Sequence, residues 1–396
     1  MTVETALAKR PRVGILDHAS SAIGGAQYVN VCMAEVLSSQ AEVELIHGGS
    51  GYTLIDLAHG FGMNLSHVRE RILPWLSEVP SFGIPGAQPA FRQVRSSWAL
   101  TRPYDVFIYS GLTIPPLCFA KGGLAYIHFP MDANMVAQAR REGVNPLRER
   151  AYGLVWRAQR SSYDQWLANS DYTAGWMKRR WDQPAPVVYP PVEADFPQVS
   201  KRNLIVSIGR FTAGKRSKRQ LEQIQVFREF CKKADEPWEF CLIGFCSKAP
   251  EDREYLAMIQ EAALGLPIRL VLDRDRRDCL RIVAEAKLFW HTAGFGIDEL
   301  THPESAEHFG IATVEAMRAG CVPIVIASGG QRETIQHGIS GFLVQTLEEL
   351  AETSVQLVND ASSWTAMSET AKKRSLIFTK EVFQNHISAV VAKMLR

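Results

Sequence analysis

The 396-residue sequence has no apolar run approaching the roughly 20 residues that a membrane-spanning helix requires. Its nearest candidate, residues 111–120, is interrupted by Pro115 and Pro116. The opening MTVETALAKRPR lacks the apolar core of a secretory leader, so none is expected. Internal repeats and low-complexity tracts are absent, which excludes a solenoid. Cysteine pairs at metal-binding spacing are missing too. The seven cysteines (32, 118, 231, 241, 246, 279 and 321) are scattered, and Cys241 and Cys246 merely bracket the apolar stretch LIGF. An odd, unpaired set predicts reduced core thiols and a cytoplasmic protein. Excess charge is also lacking: 44 basic and 42 acidic residues give a net of +2, so nothing in bulk charge suggests a nucleic-acid partner. The full G-x-G-x-x-G dinucleotide fingerprint does not occur.

What is present is enough apolar material for two cores. The hydrophobic fraction is 46%, and a chain of this length suits two domains at about 150 residues each. In the first half, short apolar runs predict buried strands at 13–17, 42–47, 104–109, 124–129 and 165–170. The first of these leads through HASSAIGGAQ, with Gly24 and Gly25, into a helical pattern over 26–37. That is the front of a Rossmann-like unit. The stretch 52–100, holding Trp75, Phe82, Phe91 and Trp98 among prolines and glycines, reads as less regular. The YIHFP segment sets His128 at a strand end, where open α/β sheets bind ligands. Ser170 or Asp171 caps the following helix. The prolines of VVYPPV then mark a boundary near 190–202.

Strands at 203–209, 238–245, 268–272, 288–290 and 322–327 follow, with helical patterns at 217–232, 252–264 and 276–286. This alternation predicts a second doubly wound α/β domain. Arg210 and Lys215 stand at its first strand-to-helix turn, while Arg216, Lys218 and Arg219 read as solvated helix-start residues. A second cluster, Trp176, Lys178, Arg179, Arg180 and Trp181, mixes cations with aromatics and suggests contact with an anionic membrane. Trp156 and Trp166 read instead as core.

The segment EHFGIATVEAM places Glu307 and Glu315 around Gly310 and the start of an apolar helix. A helix start offers unpaired N–H groups and a positive dipole end to an anion, and a glycine lets the backbone approach closely. Carboxylates beside it accept hydrogen bonds from hydroxyls. An anion and several hydroxyls on one molecule describe a nucleotide sugar. Glu333 faces the same region or serves only as a helix-start carboxylate.

The spacing of Glu307 and Glu315, together with AGCVPIVIASGG, GISGFLV and GRFTAGK, resembles the retaining glycosyltransferases of family 4. That resemblance implies an α/β GT-B fold, two Rossmann-like doubly wound domains facing across a cleft. The expected domains are 1–195 for the acceptor and 196–379 for the nucleotide sugar, with a helix at about 380–396 packing back on the first. It also implies that Glu307 binds the transferred hexose, Glu315 the ribose, and the Phe309–Ile311 backbone the sugar and phosphate. Gly24 and Gly25 would lie under the donor phosphate and beside the acceptor, and His128 would point toward the transferred sugar. Arg210 and Lys215 would carry the diphosphate charge, so no metal or other cofactor is expected. The phrases YIHFP, VVYPPV and EHFGIATVEAM are similar to mannosyltransferases of lipid-linked oligosaccharide assembly, favouring a GDP-sugar over a UDP-sugar donor and a glycan or lipid-linked acceptor. A nucleotide-sugar epimerase, a phosphorylase and a non-catalytic sugar-nucleotide-binding subunit remain alternatives at this point.

Overall fold

The structure, a computed structural model, describes residues 10–18, 23–49, 51–79, 81–82, 90–132, 143, 146–192, 195–214, 217–274 and 276–396. The chain divides into two units, one of residues 1–191 and 381–396, the other of residues 192–380.

The first unit runs β1 (Arg12–His18), α1 (Gly25–Ser38), β2 (Glu42–His47), α2 (Leu54–Phe61), β3 (Val68–Ile72) and α3 (Ala90–Thr101). It continues with β4 (Val106–Gly111), β5 (Gly122–Ile127), α4 (Pro146–Ser161), β6 (Gln165–Ala168) and α5 (Asp171–Trp181). All neighbouring strands are parallel, in the order β3-β2-β1-β4-β5-β6. The order reverses between β1 and β4, which makes the C-terminal ends of those strands the switch point where such sheets open a crevice. The central strands are buried on both faces, as parallel sheets require. One face packs Val13, Ile15, Ile108 and Tyr126 against α1, and the other packs Leu16, Phe107, Tyr109 and Ile127 against Trp156, Met177 and Trp181.

Residues 52–100 are more regular than their sequence suggests, since α2, β3 and α3 all fall within them. β3 reads VRERI and lies at the sheet edge with four of its five residues exposed or half-exposed, so it carries no apolar run to betray it. Gly62, in the left-handed conformation, ends α2, and Thr53 opens it with a capping box to Asp56.

The second unit contains β7 (Arg202–Ile208), α6 (Gln220–Lys233), β8 (Glu239–Gly244), α7 (Pro250–Ala262), β9 (Ile268–Leu272) and α8 (Arg276–Glu285). Then come β10 (Ala286–His291), α9 (Ile311–Arg318), β11 (Val322–Ile326), β12 (Phe342–Val344), α10 (Leu347–Val358) and α11 (Ala361–Ser375). Its parallel sheet has the order β12-β11-β10-β7-β8-β9, the same winding as the first, with the reversal between β7 and β10. Aromatic packing fills one face, where Trp290 meets Phe227, Phe230 and Phe240 at centroid distances of 5.4–6.4 Å.

The last helix, α12 (Lys380–Met394), belongs mostly to the first unit. Its Phe383, Ile387 and Val391 are buried in that unit's core, Phe383 edge-on to Tyr126, and Gln384 donates to Glu35 at 2.9 Å.

Candidate active site

Three side chains of the second unit, Lys218, His291 and Glu307, meet at its switch point. β10 ends at His291, and the segment after Pro303–Ser305 brings Glu307 against it, so that His291 Nε2 lies 2.8 Å from Glu307 Oε2. The same oxygen accepts from Lys218 Nζ, just before α6. Lys218, expected to be solvated, is instead the cation that meets Glu307. Its stem runs against the backbone at Gly209, where an added Cβ would lie 2.6 Å from Lys218 Cγ. Its carbonyl is tied by Thr292 Oγ1 at 2.8 Å and by Gln223 Nε2 at 3.3 Å. The next residue, Arg219, is held at φ 57°, a conformation costly for a side chain with a Cβ. The turn is therefore fixed rather than loose at its α6 end.

Burial alone would raise the Glu307 pKa. The charge of Lys218 and the hydrogen bonds from His291 and Lys218 outweigh it and hold the carboxyl well below the usual range. His291 is pushed the other way, mainly by burial and then by Lys218, so the imidazole is neutral. An ionised Glu307 can only accept, so the His291 proton sits on Nε2 and its buried Nδ1 has no hydrogen-bond partner. Among the described residues Glu307 Oε1 takes no hydrogen bond, which leaves it free to accept from a hydroxyl.

Glu307 is followed by Gly310, the N-cap of α9 at φ 96°, a left-handed conformation that favours glycine. The first turn of α9 begins at Ile311, and its N–H groups form the anion-favouring end foreseen for this segment. Phe309 contributes backbone only: its ring is buried against Phe378, with centroids 5.3 Å apart. Glu315 is 9% exposed and pairs with Arg276 Nη2 at 2.7 Å. The loop after β11 closes over Glu307 through Gly330 N–H, which donates to the Glu307 carbonyl at 2.7 Å. A bidentate pair, Arg332 with Glu299 at 2.9 and 3.0 Å, braces that loop. Neither Glu299 nor Arg276 stood out in the sequence. Each acts through a partner more than 30 residues away, and no local pattern marks such a pairing.

Arg210 follows β7 with its guanidinium exposed, while Gln220 holds its carbonyl at 3.0 Å. Lys215 lies outside the described residues. The structure thus brings Glu307 together with Lys218 and His291, sets Glu315 against Arg276, and places Gly310 and Ile311 at the start of α9.

In the first unit, Gly24 caps α1 with extended backbone and its carbonyl accepts from Tyr28 N–H, and Gly25 is the first helical residue. His128 follows β5, is 7% exposed and bonds Ser110 at 2.9 Å. The end of β1 adds a polar group that the sequence reading did not single out. Asp17 accepts from Tyr52 OH and from Gln27 Nε2, and His18 bonds the Val79 carbonyl at 2.8 Å.

In the cluster at 176–181, Lys178 and Arg179 are exposed and Trp176 and Arg180 half-buried, while Trp181 belongs to the core. Trp181 is fully buried, edge-on to Trp156 and Trp166, and donates to the Asp132 carbonyl at 2.8 Å. Arg180 lies over Trp176 and donates to the carbonyls of Pro130 and Met131, and Lys178 pairs with Asp182. Trp156 and Trp166 are core, as expected. No helix among the described residues is long and apolar enough to cross a membrane.

Two six-stranded parallel sheets with this winding are the domains of the GT-B glycosyltransferase fold. Residues 192–374 match the profile of the family described as Glycosyl transferases group 1, nearly the whole of the second unit, and the resemblance read from EHFGIATVEAM holds there. The chain is 25% identical over 311 residues to the GDP-Man:Man(3)GlcNAc(2)-PP-Dol alpha-1,2-mannosyltransferase of Caenorhabditis elegans, covering 69% of this chain and 64% of that protein. It is 26% identical over 232 residues to the enzyme of the same name from Dictyostelium discoideum, covering 53% and 42%. It therefore spans less than two thirds of the length of either relative. The Anabaena protein HepE, solved with UDP and glucose, shares the fold with a TM-score of 0.66, at 14% identity over 97% of this chain and all of that one.

Proposed function

We propose that the protein transfers a hexose, with mannose preferred, from a nucleoside-diphosphate sugar to a hydroxyl of a glycan or lipid-linked acceptor. The observation that carries this reading is Glu307, held ionised between Lys218 and His291 at the switch point of the second unit. A carboxylate with one oxygen committed and one free suits a sugar hydroxyl. Cations close to it suit the phosphates of the same donor. The names of the relatives favour GDP-mannose.

Breaking the bond between the sugar C1 and the phosphate oxygen leaves a nucleoside diphosphate with growing negative charge. Lys218, Arg210 and the first turn of α9 stabilise that charge more as it develops than before, which is how fixed charges accelerate a reaction. Lys215 is a further cation for the same phosphates. The new bond forms from the acceptor oxygen to C1, and the acceptor proton goes to the leaving phosphate on the same face, so configuration is retained. The Lys218 and Arg210 charges leave no need for a divalent metal in this scheme. Glu315, oriented by Arg276, takes the ribose hydroxyls, and the first unit receives the acceptor, with Gly24-Gly25 beside it and His128 directed toward the transferred sugar.

A thermal-shift panel of GDP- and UDP-sugars tests the donor, because a ligand bound only to the folded state raises the melting temperature by mass action. Stabilisation by GDP-mannose with mannosylation of an added acceptor is expected. Acceptor-free conversion of the sugar would mark an epimerase, and no shift with any nucleotide sugar would overturn the reading.

A further inference from the structure

The second unit holds a groove between β9 and α8 that the proposed reaction does not use. Its volume is about 370 Å³, and small-molecule sites commonly measure about 300–1,000 Å³. Lys218, His291, Glu307 and Glu315 are not among its lining residues.

The groove follows from the sheet's edge. β9 is the last strand in the order, so no strand covers its outer side. Side chains alternate along a strand, so Arg269 and Val271 point to the same face. On α8, Asp278, Arg281, Ile282 and Glu285 fall at i, i+3, i+4 and i+7, one stripe of the helix, and all four line the groove. Val271 and Ile282 belong to one apolar cluster and supply its floor. Between strand and helix, Asp273 stands at φ 50° and donates its N–H to the Gly244 carbonyl at 3.2 Å. That left-handed turn fixes where Arg274 leaves the strand.

Charge in the groove is unbalanced. Arg269, Arg274 and Arg281 are all exposed and all line it. Of its two carboxylates, Glu285 is already engaged: Oε2 lies 3.1 Å from Arg202 Nε and Oε1 3.4 Å from Arg281 Nε. Among the described residues, no carboxylate forms an ion pair with Arg269 or Arg274. Arg269 reaches the Cys241 sulfur, a weak acceptor. Three guanidiniums thus stand against one uncommitted carboxylate, Asp278.

We propose that this groove binds a small phosphorylated molecule other than the sugar donor. Guanidinium groups take phosphate oxygens through paired N–H donors, a geometry that lysine does not offer. The apolar floor beneath them takes one face of a ring or a carbon chain, so the ligand is a phosphate ester rather than a free ion. Charged residues also guard uncovered sheet edges against other chains. Guarding requires neither a cavity nor arginines converging on it from a strand, a turn and a helix.

The test titrates the full chain, by calorimetry and thermal shift, with mannose 6-phosphate, ribose 5-phosphate and glycerol 3-phosphate. Inorganic phosphate, mannose and sodium chloride at matched ionic strength are the controls. Saturable binding of at least one ester is expected, with weaker binding of inorganic phosphate and none of mannose. Arg269→Gln with Arg274→Gln should weaken it by about tenfold per arginine. Arg269→Lys with Arg274→Lys should retain part of it, and Lys218→Met should leave it unchanged. Both arginines are exposed, and the melting temperature of each variant without ligand reports its folding. Absence of saturable binding would leave the arginines as guards of the edge and overturn the inference. So would inorganic phosphate binding as tightly as the esters, or binding that survives the glutamine pair. Loss of ester binding in Lys218→Met would place the phosphate beside Glu307 instead and overturn it equally. Failure of GDP-mannose to stabilise the parent chain would count against the transferase reading and leave the groove result standing.

Discussion

The two units wind their sheets identically and furnish their switch points differently. At the end of β1, a buried carboxylate, Asp17, is answered by neutral donors, Tyr52 and Gln27. Burial pushes neighbouring His18 below the ordinary histidine value. At the ends of β7 and β10, the carboxylate Glu307 is answered by the cation Lys218, while Arg210 follows β7 and Arg276 pairs with Glu315. Topology supplies a crevice in both cases, and the side chains at the strand ends decide what chemistry it has. A carboxylate answered by neutral donors suits an acceptor with hydroxyls. A crevice with fixed cations suits a diphosphate.

The largest break in this contrast should come from Glu307→Ala. Turnover is expected to fall by about 10²–10³, the usual loss on removing one charge-positioning group, measured as sugar transfer at saturating donor. Near-parent turnover in folded protein would refute the site. Next comes Lys218. Lys218→Ala strands Glu307 in a mostly buried place, and breaking one partner of such a pair costs about 3–5 kcal/mol. The paired change Lys218→Met with Glu307→Gln should recover most of that stability in urea unfolding while activity stays lost. Recovery of activity along with stability would make the pair purely structural. Lys215→Ala, assayed in parallel, shows whether the second cation of the turn is also needed.

A smaller and more selective effect is expected from His128→Ala. If the acceptor belongs to the first unit, the donor-induced thermal shift should survive in this variant and transfer should slow, whereas Lys218→Met should lose the shift. Equal loss of the shift in both would erase the distinction between the units.

The pH dependence is a further comparison. A depressed carboxyl pKa contributes stability that is complete above the unfolded carboxylate value, about 4.3, and is lost as pH falls through the folded value. The parent should therefore lose its stability advantage over Glu307→Gln below about pH 4. His18 and His291 act earlier, because both are held below their ordinary value. Each costs stability as pH falls from about 6.5 toward its folded value, since the unfolded chain binds the proton first. An unchanging midpoint difference between parent and Glu307→Gln from pH 7 to pH 3, near the span of these groups, would contradict the Glu307 assignment. The smallest effect should be Arg332→Ala, about 1 kcal/mol or less for a half-exposed ion pair, with a modest rise in donor KM as the loop over Glu307 loosens.

Most of the architecture could be read because buried parallel strands are continuous apolar runs. β2 and β9 begin and end where their runs do. β3 and β12 escaped because each is an edge strand, one heavily charged and the other three residues long. In the site, Glu307 and Gly310 were legible because a helix start has a local signature. Lys218 was not. The run GKRSKR offers several cations, and which one reaches Glu307 depends on how the turn is folded against the nearby Gly209 and against Thr292, far away in sequence. Trp181 misled for a similar reason: a tryptophan among arginines has surface composition, yet its helix turns it inward onto Trp156.

The placement of α12 has a consequence for the order in which the molecule can be built. The second unit is one continuous stretch, complete once residue 380 has been synthesised. The first unit begins at the other end of the chain and is finished only by Phe383, Ile387 and Val391. Until those residues leave the ribosome, Tyr126 and the neighbouring core lack part of their cover. The domain made first is thus the last to close, and its exposed apolar surface in the interval is where a chaperone or a misfolding partner would find purchase.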